Sequence, residues 1–204
     1  DLGISLKAAF VMAGGAPRGL IACGGFGGEL VLRDPRGKMR ADVQLSNLAH
    51  AAGVSNIAAK GDTVVTCGYT TDRSGQVVID PFVKVVDVRV GARVLNVLQF
   101  PPGPQCVSFN PKYSSTVILG SASGVVQAMD AGGVQGGGGG GGAMGFQNHV
   151  LQLEGYQLLA QDASRSGETI AFGDSQGLVH IWSVNDTPRV NMYSQPVEVP
   201  PHRP

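Results

Sequence analysis

The sequence predicts an all-β fold built from propeller blades, and three observations predict it. Short apolar runs closing on a glycine return four times along the 204 residues. Each run is followed by a turn and then by a strand that alternates apolar and polar residues, the period of two of an extended chain with two faces. The unit recurs roughly every 40–50 residues with no sustained helical periodicity, which is the spacing of four-stranded sheets set around an axis.

The four segments are LIACGGFGGELVLRD (20–34), VVTCGYTTDRSGQVVIDPFVKVVD (64–87), VILGSASGVVQAMD (117–130) and IAFGDSQGLVHIWS (170–183). Their leading glycines are Gly24, Gly68, Gly120 and Gly173. In three of them a second glycine stands four residues later, at Gly28, Gly124 and Gly177. The following strand closes at Asp34, Asp130 and Ser183, ten residues after the first glycine. In the second segment Asp87 comes nineteen residues after Gly68, which puts an insertion of about nine residues, around DRSGQVVID, in that turn. Glycine reaches positive φ at little cost, as a tight turn between strands requires.

Two more strands flank each hairpin. Those upstream are 107–110 and 158–163, and those downstream are 43–45, 94–100 and 150–153. The repeats therefore fall near 8–45, 54–100, 105–153 and 157–186. Residues 1–186 read as a partial propeller, about four blades of a larger ring expected to hold seven. A partial ring leaves strand edges open, so this stretch is expected to rely on further blades. Two segments stand outside the pattern. Residues 131–145 contain seven consecutive glycines, Gly136–Gly142, and are expected to form a disordered insertion. Residues 187–204 hold five of the twelve prolines, which block continued sheet pairing, so this stretch is expected to leave the propeller as a linker.

Composition narrows the function. Lys plus Arg and Asp plus Glu both number 15, so no overall field draws the chain to nucleic acid or to an acidic membrane. No apolar run is long enough for a membrane helix. The chain starts Asp1-Leu2-Gly3, without methionine, as an excised piece would. Cys23, Cys67 and Cys106 are odd in number and lack C-x-x-C spacing, which argues against a disulfide framework or a zinc site. They read as small buried hydrophobes in a reducing compartment, most simply the cytoplasm.

The glycines around residue 25 do not read as a phosphate cradle. A dinucleotide fingerprint runs from a strand through G-x-G-x-x-G into a helix. Here an alternating strand follows, Leu30 stands where the last glycine belongs, and no Walker lysine is present. Metal-assisted cleavage needs clustered carboxylates. Asp34, Asp87 and Asp130 occupy equivalent repeat positions on separate blades and read as strand-end hydrogen-bond acceptors. His50, His149, His180 and His202 show no ligand spacing and read as structural or surface residues. Trp182, the single tryptophan, reads as blade packing. No catalytic, metal or cofactor site is expected, so recognition rather than bond-breaking is the expected task.

The pattern G-x-x-x-G followed by an alternating strand closing on Asp or Ser resembles the WD-repeat family, and FGDSQGLVHIWS, with Trp182, is the closest segment. By itself that likeness also fits a generic WD-repeat adaptor, such as a ubiquitin-ligase receptor or trafficking scaffold. A narrower resemblance rests on the ordered set CGGFGGELVLRDPR, CGYTTD…DPFVKVVDVR, IAFGDSQGLVHIWS and NMYSQPVEV. This set resembles the amino-terminal propeller of the catalytic subunits of the PAN poly(A)-nuclease family, whose members shorten mRNA poly(A) tails. The resemblance implies a cytoplasmic location, P-bodies included, and a non-catalytic role for this stretch. In that family catalysis belongs to a downstream DEDD exonuclease domain. It implies two protein partners, a pseudokinase-containing regulatory subunit and the poly(A)-binding protein–RNA complex. It also raises Asn191, Tyr193, Ser194 and Pro196 as a docking element in the linker, and it leaves direct RNA contact open.

If the glycine run is a spacer, deleting Gly136–Gly142 leaves the fold unchanged. Loop closure costs only about 0.6 kcal/mol per doubling of length, so the urea midpoint should stay within error of the parent chain.

Overall fold

A computed structural model of the chain describes residues 5–12, 19–33, 43–44, 49–90, 93–111, 115–132, 150–152, 157–183, 191–192 and 197–198. They form four antiparallel sheets, taken up one after another along the chain. The first holds β1 (Ser5–Met12), β2 (Gly19–Gly25), β3 (Leu30–Arg33) and β4 (Val43–Gln44) in sequence order. The second holds β5 (Val54–Lys60), β6 (Thr63–Thr71), β7 (Val77–Ile79), β8 (Phe82–Asp87) and β9 (Arg93–Gln99), with β7 paired only to the far end of β6. The third runs β10 (Pro104–Phe109), β11 (Thr116–Ser121), β12 (Val125–Asp130) and β13 (Val150–Gln152). The fourth runs β14 (Leu158–Ala163), β15 (Thr169–Asp174) and β16 (Leu178–Ser183), edged by β17 (Asn191–Met192) and β18 (Val197–Glu198). A 3-10 turn at Val88–Val90 is the one helical element among the described residues.

The sheets stack face to face. Ala22, Leu30 and Leu32 of the first meet Val54, Ile57, Val64 and Val86 of the second in one buried cluster. Val65, Cys67, Val83 and Val85 of the second meet Val107, Phe109, Val117 and Leu119 of the third. Ile118 and Val126 of the third meet Leu158, Ile170, Phe172 and Trp182 of the fourth. The first strands β1, β5, β10 and β14 lie side by side in that order, the radial arrangement that the repeat predicts. Polar links reinforce the joints. The Lys60 ammonium donates to the Asn110 and Pro111 carbonyls (2.6 and 2.8 Å), and Gln161 Nε2 donates to Ser108 Oγ and the Ile118 carbonyl (2.8 and 2.9 Å).

One turn recurs in all four sheets. Gly28, Gly75, Gly124 and Gly177 have φ between 81° and 84°. Each donates its N–H to the carbonyl three residues back, from Gly25, Asp72, Ser121 and Asp174. A residue with a Cβ is strained at that angle. In the second sheet this turn sits at the tip of a lengthened hairpin. Tyr69–Thr71 pair with β7, and β8 then returns to Thr63–Thr66. Of the inserted residues, Val77–Ile79 therefore extend the ladder, and Asp72–Gln76 form its turn.

The register corrects one repeat position. β1–β2, β10–β11 and β14–β15 each carry a one-residue irregularity beside Gly24, Gly120 and Gly173. In β5–β6 the same place is taken by Cys67, opposite Asn56, and Gly68 matches Gly25, Ser121 and Asp174. The sequence stacking was one residue out because two small residues, Cys67 and Gly68, are adjacent. The leading glycines also do a different job from the turn glycines. A Cβ at Gly24 would come within 2.5 Å of Val54 Cγ1, and one at Gly120 within 3.3 Å of Leu158 Cδ1. They are small because the next sheet's first strand presses on them.

The proline-rich tail also differs from expectation. Asn191–Met192 pair with Ser183 and Trp182, and Val197–Glu198 pair with Val179 and Leu178. Prolines 188, 196, 200 and 201 flank these pairs without occupying them, so the ladder needs no N–H that proline lacks. Part of the expected linker is thus the outer edge of the fourth sheet. The glycine run lies outside the described residues.

Trp182 packs on Phe172 with ring centroids 6.3 Å apart, and its Nε1 has no hydrogen-bond partner among the described residues. Trp182→Ala should lower stability by ~3–5 kcal/mol in urea unfolding. Trp182→Phe should cost far less, because it keeps most of the packing and removes a buried N–H whose lack of a partner costs about 1–3 kcal/mol.

Candidate functional site

The repeat aspartates do not converge. Asp87 closes β8 opposite Thr63 and accepts from the Arg89 backbone N–H (2.8 Å) and from Arg89 Nη2 (2.6 Å). These contacts, the side-chain bonds first, hold its carboxyl below the usual carboxylate range. Asp130 closes β12 opposite Thr116 and accepts from the Gly132 N–H at 2.9 Å. Ser183 closes β16 opposite Thr169. Asp34 lies outside the described residues. Among the described residues no group of three or more His, Cys, Asp or Glu side chains is placed to hold a metal ion.

The most connected polar cluster lies at the joint between the first two sheets. His50 is buried in the connector between β4 and β5. Its Nδ1 stands 2.8 Å from Asp80 Oδ2 and its Nε2 3.1 Å from Thr66 Oγ1. A carboxylate only accepts, so Nδ1 carries the proton; in the neutral ring Nε2 then accepts from the Thr66 hydroxyl. Asp80 also accepts from the Phe82 N–H at 3.0 Å, fixing the corner where β7 gives way to β8. Burial lowers the His50 pKa, and the contact with Asp80 opposes that only in part. The connector is tied on both sides: the His50 N–H donates to the Gly28 carbonyl, the Ala52 N–H donates to the Tyr69 carbonyl, and the Tyr69 N–H donates to the Gly53 carbonyl. A Cβ on Gly28 would run into the His50 carbonyl, so the connector needs glycine there twice over.

A second His–Asp pair sits in the fourth sheet. His180 Nε2 lies 2.7 Å from Asp174 Oδ2, while Asp174 Oδ1 accepts from the Gln176 and Leu178 N–H groups at 2.9 Å each. Burial pushes the Asp174 carboxyl up, but these hydrogen bonds outweigh it and hold the group low. Cys67 and Cys106 are buried thiols, and burial pushes Cys67 strongly up, so it stays protonated.

Several large apolar side chains are exposed on the first two sheets. Phe26 is 57% exposed on the β2–β3 turn, and Tyr69 is 37% exposed at the base of the lengthened hairpin. The two flank Gly53, whose added Cβ would lie 3.3 Å from the Phe26 carbonyl and 3.6 Å from the Tyr69 ring. Val77 and Val78 on β7 and Leu95 and Val97 on β9 are also exposed, and Lys84 Nζ sits 5.3 Å from the centre of the Phe82 ring. Aromatic residues with a nearby cation suit a protein partner.

Of the expected docking residues, Asn191 lies on β17, and Tyr193, Ser194 and Pro196 lie outside the described residues. Sequence reasoning missed the partners of His50. The signal it had was one histidine among small apolar residues, in LAHAAGV; Asp80, thirty residues away, carried none. No helix among the described residues is long and apolar enough to cross a membrane.

Comparison with known proteins places this geometry. The family model for the PAN2 N-terminal region matches residues 11–183. The fission yeast PAN2-PAN3 deadenylation complex catalytic subunit pan2 is 30% identical over 181 residues, covering 89% of this chain and 15% of that protein. The human subunit of the same description is 32% identical over 176 residues, covering 86% of this chain and 14% of that protein. This chain therefore spans about a seventh of the length of the curated relatives it matches. The Neurospora crassa Pan2 WD40 domain superposes with a TM-score of 0.63 at 21% identity, covering 86% of this chain and 50% of that domain's chain.

The His50 cluster makes stability depend on pH. Its folded-state pKa lies below the usual 6.5, so the unfolded chain binds the proton first as pH falls. Stability should therefore fall as pH drops below about 6.5, through the range where the unfolded histidine is charged and the buried one is not. His50→Gln should lower stability at pH 7.5 and flatten that slope, read as urea midpoints between pH 7.5 and 5.5.

Proposed function

We propose a function from one premise: this chain belongs to the PAN2 N-terminal family. The stretch acts as a non-catalytic WD-repeat scaffold in the catalytic subunit of a poly(A)-specific 3′-exoribonuclease, and so serves mRNA tail shortening and decay. It works without a cofactor of its own. Its task is to help the parent protein bind a pseudokinase-containing regulatory subunit and engage poly(A) covered by poly(A)-binding protein, in the cytoplasm and in P-bodies.

The match over residues 11–183 to a family named for deadenylase catalytic subunits carries this reading. The apolar surface around Phe26 and Tyr69 supports it, since a scaffold needs an exposed face that is firmly positioned. Tyr69 is tied to the connector by its N–H to the Gly53 carbonyl, and Phe26 sits in the turn whose Gly28 carbonyl accepts from the His50 N–H, so a partner would meet a preformed surface and lose little entropy in ordering it.

Phe26→Asp combined with Tyr69→Asp in the full-length parent should leave trimming of bare oligo(A) unchanged. The same variant should slow shortening of poly(A) coated with poly(A)-binding protein, several-fold in a time course. Equal loss on both substrates would reject the scaffold reading, and no loss on either would reject this surface.

A further inference from the structure

The lengthened hairpin of the second sheet has an edge that the fold does not use. Asp80 donates its N–H to the Gly68 carbonyl and Asp72 donates its N–H to the Gln76 carbonyl, both at 2.9 Å. The hydrogen-bonded pair between them is therefore Thr70 with Val78. Val77 and Ile79 then turn their own N–H and C=O groups away from β6. The next column of the sheet is β9, and it reaches only to Gln99, which pairs with Phe82. Phe100 donates to the Pro81 carbonyl at 2.8 Å and the chain turns off, with Gly103 against the Ile79 side chain. Beyond that point β7 pairs with β6 alone among the described residues.

Nothing about this edge discourages pairing. Edge strands are usually blunted by charge or proline, and Val77, Val78 and Ile79 carry neither. Val77 is 62% exposed and Val78 38%, on opposite faces of the ribbon. The edge is also preformed. Asp72 Oδ1 holds the turn in shape by accepting from the Ser74 and Gln76 N–H groups at 2.8 and 3.0 Å. The second sheet has a neighbour packed on each face, in the clusters that hold Val64 and Val65, so the edge does not depend on how the ring is completed.

We propose that β7 accepts an extended segment of a partner protein as an added antiparallel strand, with β-branched residues beside Val77–Ile79 and a carboxylate just after them. The incoming backbone exchanges hydrogen bonds with Val77 and Ile79 and continues the direction of β9. Running that way, its C-terminal end reaches the tip of the hairpin. Arg73 is exposed there and has no carboxylate partner among the described residues, because Asp72 is taken up by its own turn. A second copy of this chain does not fit. With β7 paired to β7, Gln76 and Gly75 of one copy fall opposite Asp80 and Pro81 of the other, where Phe100 already pairs. Arg73 is then carried toward Lys84, a like charge. The requirement rests on the backbone of the second sheet, whatever the parent protein does.

The test uses the full-length parent protein and one probe, a fluorescein-labelled peptide of sequence Thr-Ile-Val-Val-Glu-Glu, with binding read by anisotropy. Bound peptide should slow amide hydrogen exchange across residues 76–80 about fivefold, as newly made backbone bonds require. Val77→Pro removes only an N–H that points away from β6, which an edge strand tolerates, and should weaken binding roughly tenfold. Unchanged exchange across β5 and β6 shows that the sheet of this variant is intact. Val77→Thr keeps the N–H and should bind as the parent does. Arg73→Glu should weaken binding several-fold and should favour a version of the peptide ending in two lysines. Equal binding by Val77→Pro would overturn the proposal, as would no binding to the parent at about 1 mM peptide. So would protection of residues 76–80 without peptide together with a doubled mass in light scattering, since a second copy would then be the occupant.

Discussion

The packing of each sheet's first strand onto a small residue of the sheet before it is the constraint on which this architecture depends. Where Val54 meets Gly24 there is no room for a Cβ, and where Leu158 meets Gly120 a Cβ would fit only if its neighbours gave way slightly. That close approach lets faces rich in valine, leucine and isoleucine meet without voids, and it fixes the angular position of one sheet against the next. The buried clusters lie between sheets, not within any one of them. No sheet here has a core of its own, and stability belongs to the joints. The polar links follow the same logic: Lys60 and Gln161 both reach across a joint to donate to backbone carbonyls of the neighbouring sheet.

Much of this was legible because glycine leaves a strong mark. The turn glycines Gly28, Gly124 and Gly177 were found from spacing, and all three adopt the positive φ that their turn requires. Gly75, the fourth, was hidden by the lengthened hairpin, since spacing from Gly68 no longer applied. The error at Gly68 has a related cause. Two kinds of glycine, one for a turn and one for close packing, look identical in a sequence, and at Cys67 the packing role passed to a different small residue. The tail misled for another reason. Proline excludes its own position from a ladder but not the positions between prolines, and two-residue strands fit there.

The candidate surface was less legible than the fold. His50 was visible as a lone histidine, but its meaning lies in Asp80 and Thr66 of the second sheet, which the fold brings to the connector. Phe26 and Tyr69 sit in different segments and become neighbours only when the connector at Gly53 runs between them. Long-range contacts of this kind leave no periodic trace. Family likeness carried the functional expectation where local pattern could not, and it did so through ordered motifs spread over nearly the whole chain.

The lengthened hairpin changes how the first two sheets are coupled. Its arms, Tyr69–Thr71 and Val77–Ile79, are paired as ladder, and its root is Asp80, which bonds His50 in the connector that joins those sheets. Tip and seam are therefore one mechanical unit, a lever with its fulcrum at a buried imidazole. Any molecule that grasps the tip pulls on the seam as well, and any proton that reaches the imidazole alters the stiffness felt at the tip.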